Sequence, residues 1–472
     1  MSIKFFNTLT RAKEEFLPIV ENKVGMYSCG PTVYDYAHIG NLRSYVFADI
    51  LRKTLKYNDL DVQQVMNITD IGHLASDADS GDDKMTKGLL REGKELNLKN
   101  MRELAEFYTD KFKDDLKNLN VELPDIFCFA SDYIKEDIEL IEKLEQRDFT
   151  YKTSDGIYFD ISKMPDYGVL TGGKKNWNED NARVNINPEK RNPEDFALWK
   201  FNSTLGFESP FGTGFPGWHI ECSAMSMRFL GEQFDLHTGG IDHIPVHHTN
   251  EIAQSESATG KKPFVKYWLH HEFLDMSGEK MAKSAGSFIK LNTLIEKDID
   301  PITYRFWLLM ASYHTKMNFN WDALEGAQTA LKRLQKLYLS LGSNTQENAG
   351  SIGQISAEYQ QKFKDYMNDD LDTPRALALL WDVIKDESIL PQDKKATILD
   401  FDKILGLSFA NLKEEINLEI ELPIKIKNLL EERNTARQNK NFKRSDEIRD
   451  EMFSLGYEVK DLPDGEQKIL KI

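Results

Sequence analysis

Val24–Tyr57, VGMYSCGPTVYDYAHIGNLRSYVFADILRKTLKY, is the stretch whose reading sets the fold class. It opens on a β-prone run, Val24–Cys29, which stops at Gly30-Pro31, where proline has no N–H to extend a ladder. From Asn41 to Tyr57 apolar residues recur at Leu42, Val46, Ile50, Leu51 and Leu55, the spacing of a helix that lays one face on a sheet. Asp61–Ile68 (DVQQVMNI) then reads as a second strand ending at Thr69-Asp70. Strand, helix and parallel strand in so short a span make a βαβ unit. The expectation is an α/β sheet domain with its ligands at the carboxyl ends of the strands.

Outward from this unit the texture changes. Residues 117–205 carry short β-prone runs (GIYFDI, DFALWK) between Pro, Gly and Asn clusters and read as an insertion in the sheet domain. Residues 206–268 return to α/β character, 269–322 follow as the region that bears the lysine loop KMAKS, and 323–409 are helical, with a polar loop at SNTQENAGSIGQ. A final segment, 410–472, holds a basic helix and a short run, FSLGYEVKDLPDG, that predicts a β-hairpin. The sheet domain itself is expected in two halves, 1–116 and 206–268.

The chain has 472 residues, of which 40% are hydrophobic, enough for several packed cores and too many for a disordered protein. Three cysteines cannot build a disulfide framework in a chain of this size, so thiol or metal chemistry is the expectation. No apolar run approaches the ~20 residues that cross a bilayer. No secretory signal is read at the start, and the expected setting is soluble and cytoplasmic, with no membrane partner. The formal charge of −17 argues against a non-specific nucleic-acid binder. A local exception is 425–449, with eight Lys/Arg against four Asp/Glu. There Arg433, Arg437, Lys440 and Arg444 fall at helical spacing, so one helix is expected to present a cationic face; a solvated helix with i,i+4 pairs is the plainer reading.

Three groups of residues carry chemistry. His38-Ile39-Gly40-Asn41 sits where the first strand turns into its helix, and free N–H groups at a helix start favour phosphate. Lys280-Met281-Ala282-Lys283-Ser284 places two lysines around a small-residue loop, a suitable partner for a polyphosphate during transfer. A look-alike, Lys84-Met85-Thr86-Lys87-Gly88, follows the acidic run DADSGDDK and reads as structural. Cys29 ends the first strand, Cys222 lies in GWHIECSAM, and His247 and Glu251 stand four apart in VHHTNEIA, hence on one helix face. Two thiolates, an imidazole and a carboxylate suit zinc; buried cysteines acting as small hydrophobes are the alternative.

Together CGPTVYDYAHIGNLR, GWHIECSAM, HHTNEIAQ and KMAKS resemble the cysteinyl-tRNA synthetase family of class I aminoacyl-tRNA synthetases. MNITDIGH, DFALWK, LDTPRAL and KNFKRSDEIRDEM–GYEVKDLPDG extend the resemblance over nearly the whole chain. It implies a Rossmann-like catalytic domain split by a connective peptide, a helical bundle, and a small anticodon-binding cap. His38, Gly40 and Asn41 then belong to the first class signature and Lys280 and Lys283 to the second, where Ala282 replaces the commoner serine. Cys29, Cys222, His247 and Glu251 fall on the zinc ligands. Thr69, Trp218 and His237 match positions around the amino acid, and Asp242 is a candidate ribose partner. The text IDHIPVHHTNE departs from the family's usual pattern around His247 while sparing the ligands.

The implied reaction joins L-cysteine to ATP as cysteinyl-adenylate and then passes cysteine to the 3′ end of its tRNA, with one Zn2+ per chain and Mg2+ accompanying ATP. Zinc is assigned to selecting the substrate thiolate, which makes an editing domain unnecessary. The basic helix would meet tRNA phosphates while the cap reads the anticodon, and the chain is expected to act as a monomer. Two other readings stand beside this one: a ligase that passes activated cysteine to a small amine, and a non-catalytic tRNA-binding derivative.

Overall fold

The structure is a computed structural model that describes residues 2–71, 84–172, 187–275, 289–341, 353–412, 423–439, 441–461 and 467–471. Two compact units divide the chain, Met1–Ala410 and Asn411–Ile472. In the first, a hairpin of β1 (Lys4–Asn7) and β2 (Ala12–Glu15) precedes β3 (Lys23–Ser28), α1 (Ile39–Tyr57) and β4 (Asp61–Ile68). β3 and β4 pair in parallel, so the βαβ unit forms as its periodicity predicts. The chain can leave β3 hard against β4 only because residue 30 is glycine, since a Cβ there would lie 1.6 Å from the Asn67 carbonyl oxygen.

α2 (Lys84–Arg91) takes in the look-alike lysine run, and α3 (Leu98–Asn118) leads to β5 (Ile126–Phe129) and α4 (Ile134–Gln146). Four short strands, β6 (Thr150–Lys152), β7 (Gly156–Phe159), β8 (Phe196–Phe201) and β9 (Gly214–Pro216), pair antiparallel in chain order as a separate sheet. α5 (Trp218–Leu230), β10 (Phe234–Gly240), α6 (His247–Thr259) and β11 (Val265–His271) then complete the first sheet. Its order is β11-β10-β3-β4-β5, all parallel. Successive strands step away from β3 to β5, and the chain then returns to lay β10 on the other side of β3. The carboxyl ends of β3 and β10 therefore flank the point where strand order reverses, the place where such sheets hold ligands.

This differs in detail from the insertion read at 117–205. β5 lies in the parallel sheet, and the separate antiparallel sheet runs from 150 to 216. β5 is a four-residue edge strand whose partner β4 is distant in sequence, so no local signal ties the two together.

Beyond β11, Leu274–Asp275 pairs with Met317–Asn318, and the helix Pro301–Leu309 carries a fully buried Arg305. Arg305 donates to the carbonyls of Leu405 (2.6 Å), Leu119 (3.1 Å) and Asn120 (3.2 Å) and to Asp49 Oδ2 (2.6 Å). Four helices, Trp321–Ser340, Ala357–Asn368, Thr373–Lys385 and Pro391–Leu405, form the helical region, where the rings of Phe363 and Phe401 stack 4.2 Å apart. Most of the polar stretch 343–354 lies outside the described residues.

The second unit is two helices, Ile424–Gln438 and Phe442–Ser454, and an antiparallel hairpin, Tyr457–Asp461 with Gln467–Lys471, around Ile426, Leu429, Ile448 and Met452. The single basic helix read over 425–449 is thus corrected to two. Asn439 ends the first, and the Asn441 side chain caps the second by accepting from Arg444 N at 3.2 Å. The shared cationic face is corrected as well. Arg433 is 1% exposed, because it continues the buried stripe Ile426-Leu429-Arg433-Ala436. Arg437 is exposed on the same helix, Arg444 stands on the next, and Lys440 lies outside the described residues. Among the described residues no helix is long and apolar enough to cross a membrane.

Candidate metal and nucleotide site

Cys29 follows the last residue of β3 and is tied to β10 by its N–H donating to Thr238 O at 3.4 Å. Cys222 lies in the second turn of α5, and His247 opens α6 with Glu251 one turn on. Donor atoms of Cys29, Cys222, His247 and Glu251 all lie within 4.8 Å of one another. Their chemistry, two sulfurs, an imidazole nitrogen and a carboxylate oxygen in a buried basin, fits zinc. The geometry fits as well. His247 Nε2 and Glu251 Oε1 stand 3.1 Å apart, yet among the described residues Oε1 has no hydrogen-bond partner, an arrangement costly to bury unless both atoms face a common cation.

The surrounding imidazoles orient this set. His219 Nδ1 lies 2.9 Å from His247 Nδ1, turning His247 Nε2 toward the carboxylate. His248 Nε2 approaches Cys29 Sγ at 3.5 Å, while its Nδ1 meets His270 Nε2 at 2.7 Å and His270 Nδ1 meets Thr8 Oγ1 at 2.7 Å. His237 Nε2 sits 3.0 Å from Glu251 Oε2. Cys29, His237, His248 and Glu251 form a second, overlapping donor group within the same 4.8 Å limit.

Electrostatics follow from burial and charge. Burial pushes His247 down, but the neighbouring Cys222 and Glu251 outweigh it and hold the imidazole at about 10. Burial would raise Glu251; the imidazoles of His237 and then His247 bring it down to about 2. Contact with Cys29, then burial, raises the Cys222 thiol well above its usual range. Burial lowers His243 to about 4 and takes His248 and His270 well below the ordinary imidazole value. The basin thus sets the Glu251 carboxylate against a His247 ring that holds its proton, amid His243, His248 and His270, which burial keeps neutral.

The first signature sits at the start of α1. His38 is the N-cap: its Nδ1 accepts from Asn41 N (3.2 Å) and Asn41 Oδ1 accepts from His38 N (3.3 Å), a reciprocal box. A Cβ at residue 40 would press on the His38 ring at 3.0 Å, so Gly40 makes room for that ring. The helix start is less open than expected for phosphate, because Ile39 N donates to Ile289 O at 2.9 Å and Asn41 N is taken by the cap. His38 itself, kept neutral by burial, remains half-exposed. Lys280 and Lys283 lie outside the described residues. Lys290, close after them in sequence, forms a bridge with His38, which brings the chain beyond the second signature back to the first.

Asp242 is exposed in the turn after β10, with its carboxylate over Gly240. Trp218 opens α5 with its ring 4.3 Å from that of His247. Thr69 follows β4, buried, its Oγ1 accepting from Asn67 Nδ2 at 3.2 Å. Of the cationic residues in the second unit, Arg444 is paired with Glu432 (2.8 Å) and Glu447 (3.2 Å). Sequence reasoning missed the His270–Thr8 relay, which joins residues 262 positions apart in the chain. It also missed Tyr27, two positions before Cys29 on the same strand face, whose buried hydroxyl finds no partner among the described residues; that spacing was the available signal.

Residues 15–329 match a family described as the tRNA synthetases class I (C) catalytic domain, and residues 420–469 match the cysteinyl-tRNA ligase anticodon binding domain. The chain is 47% identical to a cysteine–tRNA ligase of Treponema denticola, with 98% of each chain covered. It is 43% identical to cysteine–tRNA ligase 1 of Burkholderia lata, covering 99% of this chain and 97% of that one. Among solved structures, Mycobacterium tuberculosis methionyl-tRNA synthetase in complex with methionyl-adenylate superposes with a TM-score of 0.56 at 15% identity, covering 82% of this chain and 90% of that one, a likeness of fold. Two domain matches in the expected order, and relatives aligned almost from end to end, place this chain in the cysteinyl-tRNA synthetase family of class I aminoacyl-tRNA synthetases.

Proposed function

We propose that the chain activates L-cysteine with ATP, giving cysteinyl-adenylate and pyrophosphate, and transfers cysteine to the 3′ end of its cognate tRNA. One observation carries the specificity for cysteine: Cys29, Cys222, His247 and Glu251 converge within 4.8 Å at the switch point of the sheet. Zinc held by these four would supply a coordination position for the substrate sulfur, which a thiolate fills far better than a neutral hydroxyl does at pH 7. A purely apolar pocket separates near-isosteric amino acids by only ~10–200-fold. His219 fixes the ring of His247, against which Trp218 packs, and Trp218 with Thr69 would border the space for the amino acid.

Activation is in-line attack of the substrate carboxylate on the α-phosphate, which needs positioning and charge stabilisation and no protein nucleophile. His38 would donate to the phosphates, Lys280 and Lys283 would stabilise the departing pyrophosphate, and Asp242 would bind a ribose hydroxyl. Mg2+ would accompany ATP. In the second unit, Arg437 would meet tRNA phosphates, and the 64% exposed ring of Phe442 offers a face on which a base can stack.

Pyrophosphate exchange measured with cysteine or serine, before and after chelation, tests this. Cysteine-dependent exchange should disappear with the metal and return on adding zinc. Comparable exchange with serine, or full activity after the metal has been removed, would overturn it.

A further inference from the structure

Glu251 has two oxygens, and one of them is already held by a residue outside the four-ligand set. Oε1 faces His247 Nε2 and has no hydrogen-bond partner among the described residues, while Oε2 lies 3.0 Å from His237 Nε2. His237 is fully buried, stacked on Trp268 at 4.6 Å and 17° and edge-on to Tyr27 at 5.1 Å, so its ring is fixed by packing. Its Nδ1 has no partner among the described residues, so Nε2 is the ring nitrogen placed to donate to Glu251 Oε2. A carboxylate free at both oxygens can bind a cation through both and so occupy two positions. One whose second oxygen accepts a hydrogen bond binds through one.

We propose that His237 is a positioning residue: by holding Oε2 it limits Glu251 to a single metal bond through Oε1 and keeps one coordination position open for the sulfur of the substrate. This rests on the zinc reading above. It gives His237 a task different from direct contact with the amino acid. It also differs from the second donor group, in which His237 would itself be a ligand.

The test uses the full-length protein with Co2+ in place of zinc, and the variants His237→Gln, which keeps an N–H donor, and His237→Leu, which removes it. Ligand-field absorption, intense for four-coordinate and weak for higher-coordinate cobalt, reads the coordination number. The His237→Leu protein should still bind one Co2+, show weakened absorption before cysteine is added, and have a cysteine KM in pyrophosphate exchange raised by ~10–100-fold with the ATP KM unchanged. His237→Gln should restore both readings. Loss of the metal from folded His237→Leu would make His237 a ligand and overturn the proposal, as would an unchanged spectrum with an unchanged cysteine KM. Should His237→Leu fail to fold, His237→Asn, polar but too short to reach Oε2, carries the same readings. Wild-type protein that takes up no metal would instead refute the zinc reading beneath it.

Discussion

Cys222 and His38 show how single atoms are expected to govern this site. Replacing the sulfur of Cys222 with oxygen in Cys222→Ser removes a soft ligand from a buried set whose members lie within 4.8 Å. Metal analysis should find about one zinc per chain in the wild type and clearly less in this variant; equal content would remove Cys222 from the ligand set. His38 has two tasks, capping α1 and facing the nucleotide, and they can be separated. His38→Asn keeps a good N-cap and should leave the melting temperature nearly unchanged. Adenylate formation should fall by ~10²–10³-fold, as it does on loss of a transition-state donor. A matching loss of stability and rate would mean that capping is its whole role. Lys283→Ala should reduce the same rate to a similar extent.

At the scale of elements, backbone approach and buried charge decide the outcome. Gly30→Ala places a methyl 1.6 Å from the Asn67 carbonyl, so β3 and β4 must part at the end that bears Cys29. Lower thermal stability and lower zinc content are expected together, and a variant with normal metal content would show that the strand end yields without moving the cysteine. α4 carries Asp137, fully buried, with both carboxyl oxygens unpartnered among the described residues, and raised well above the usual carboxylate range by burial. Glu221 on α5 is raised in the same way, first by burial and next by Asp137. A raised folded-state value means that the native protein keeps protons the unfolded chain has released. Stability is therefore fully present below the ordinary carboxylate pKa of ~4 and declines as pH rises toward the folded value. Asp137→Asn, which does not ionise, should lose less melting temperature than the wild type between about pH 5 and pH 8; identical slopes would refute this.

Over the whole of the first unit, Arg305 joins elements far apart in sequence: the end of the helix Pro391–Leu405, the end of α3, and Asp49 within α1. Arg305→Met leaves those carbonyls and Asp49 without their donor. Because Lys53 Nζ still reaches Asp49 at 2.9 Å, the cost should sit at the lower end of the ~3–5 kcal/mol typical of breaking a buried pair, read by denaturant unfolding. In the second unit, Arg437→Glu should weaken tRNA charging on the order of tenfold while sparing pyrophosphate exchange, since phosphate contact serves only the second step. Equal loss of both activities would point to folding instead. Arg444 is the poorer probe, because reversing its charge also breaks its pairs with Glu432 and Glu447.

The βαβ unit and the helix carrying His247 and Glu251 were legible in the sequence, because each rests on spacing within a few turns or a single strand pair. Of the C-terminal hairpin, read over 453–465, the strand Tyr457–Asp461 was legible and its partner Gln467–Lys471, beyond that run, was not. The family and its signatures were legible for the same reason, as short unbroken strings. The strand order, the membership of β5, and the convergence of Cys29 with Cys222 depend on pairings between distant segments, for which local periodicity carries no term. Arg433 marks the boundary sharply. Its charge invited a place on the surface, yet its position on the stripe of Ile426, Leu429 and Ala436 buries it. Charge is a property of the residue, whereas burial is decided by which neighbours the completed fold brings against it. For the same reason the partner of each buried histidine, and with it the hold on Glu251, came only from the tertiary structure.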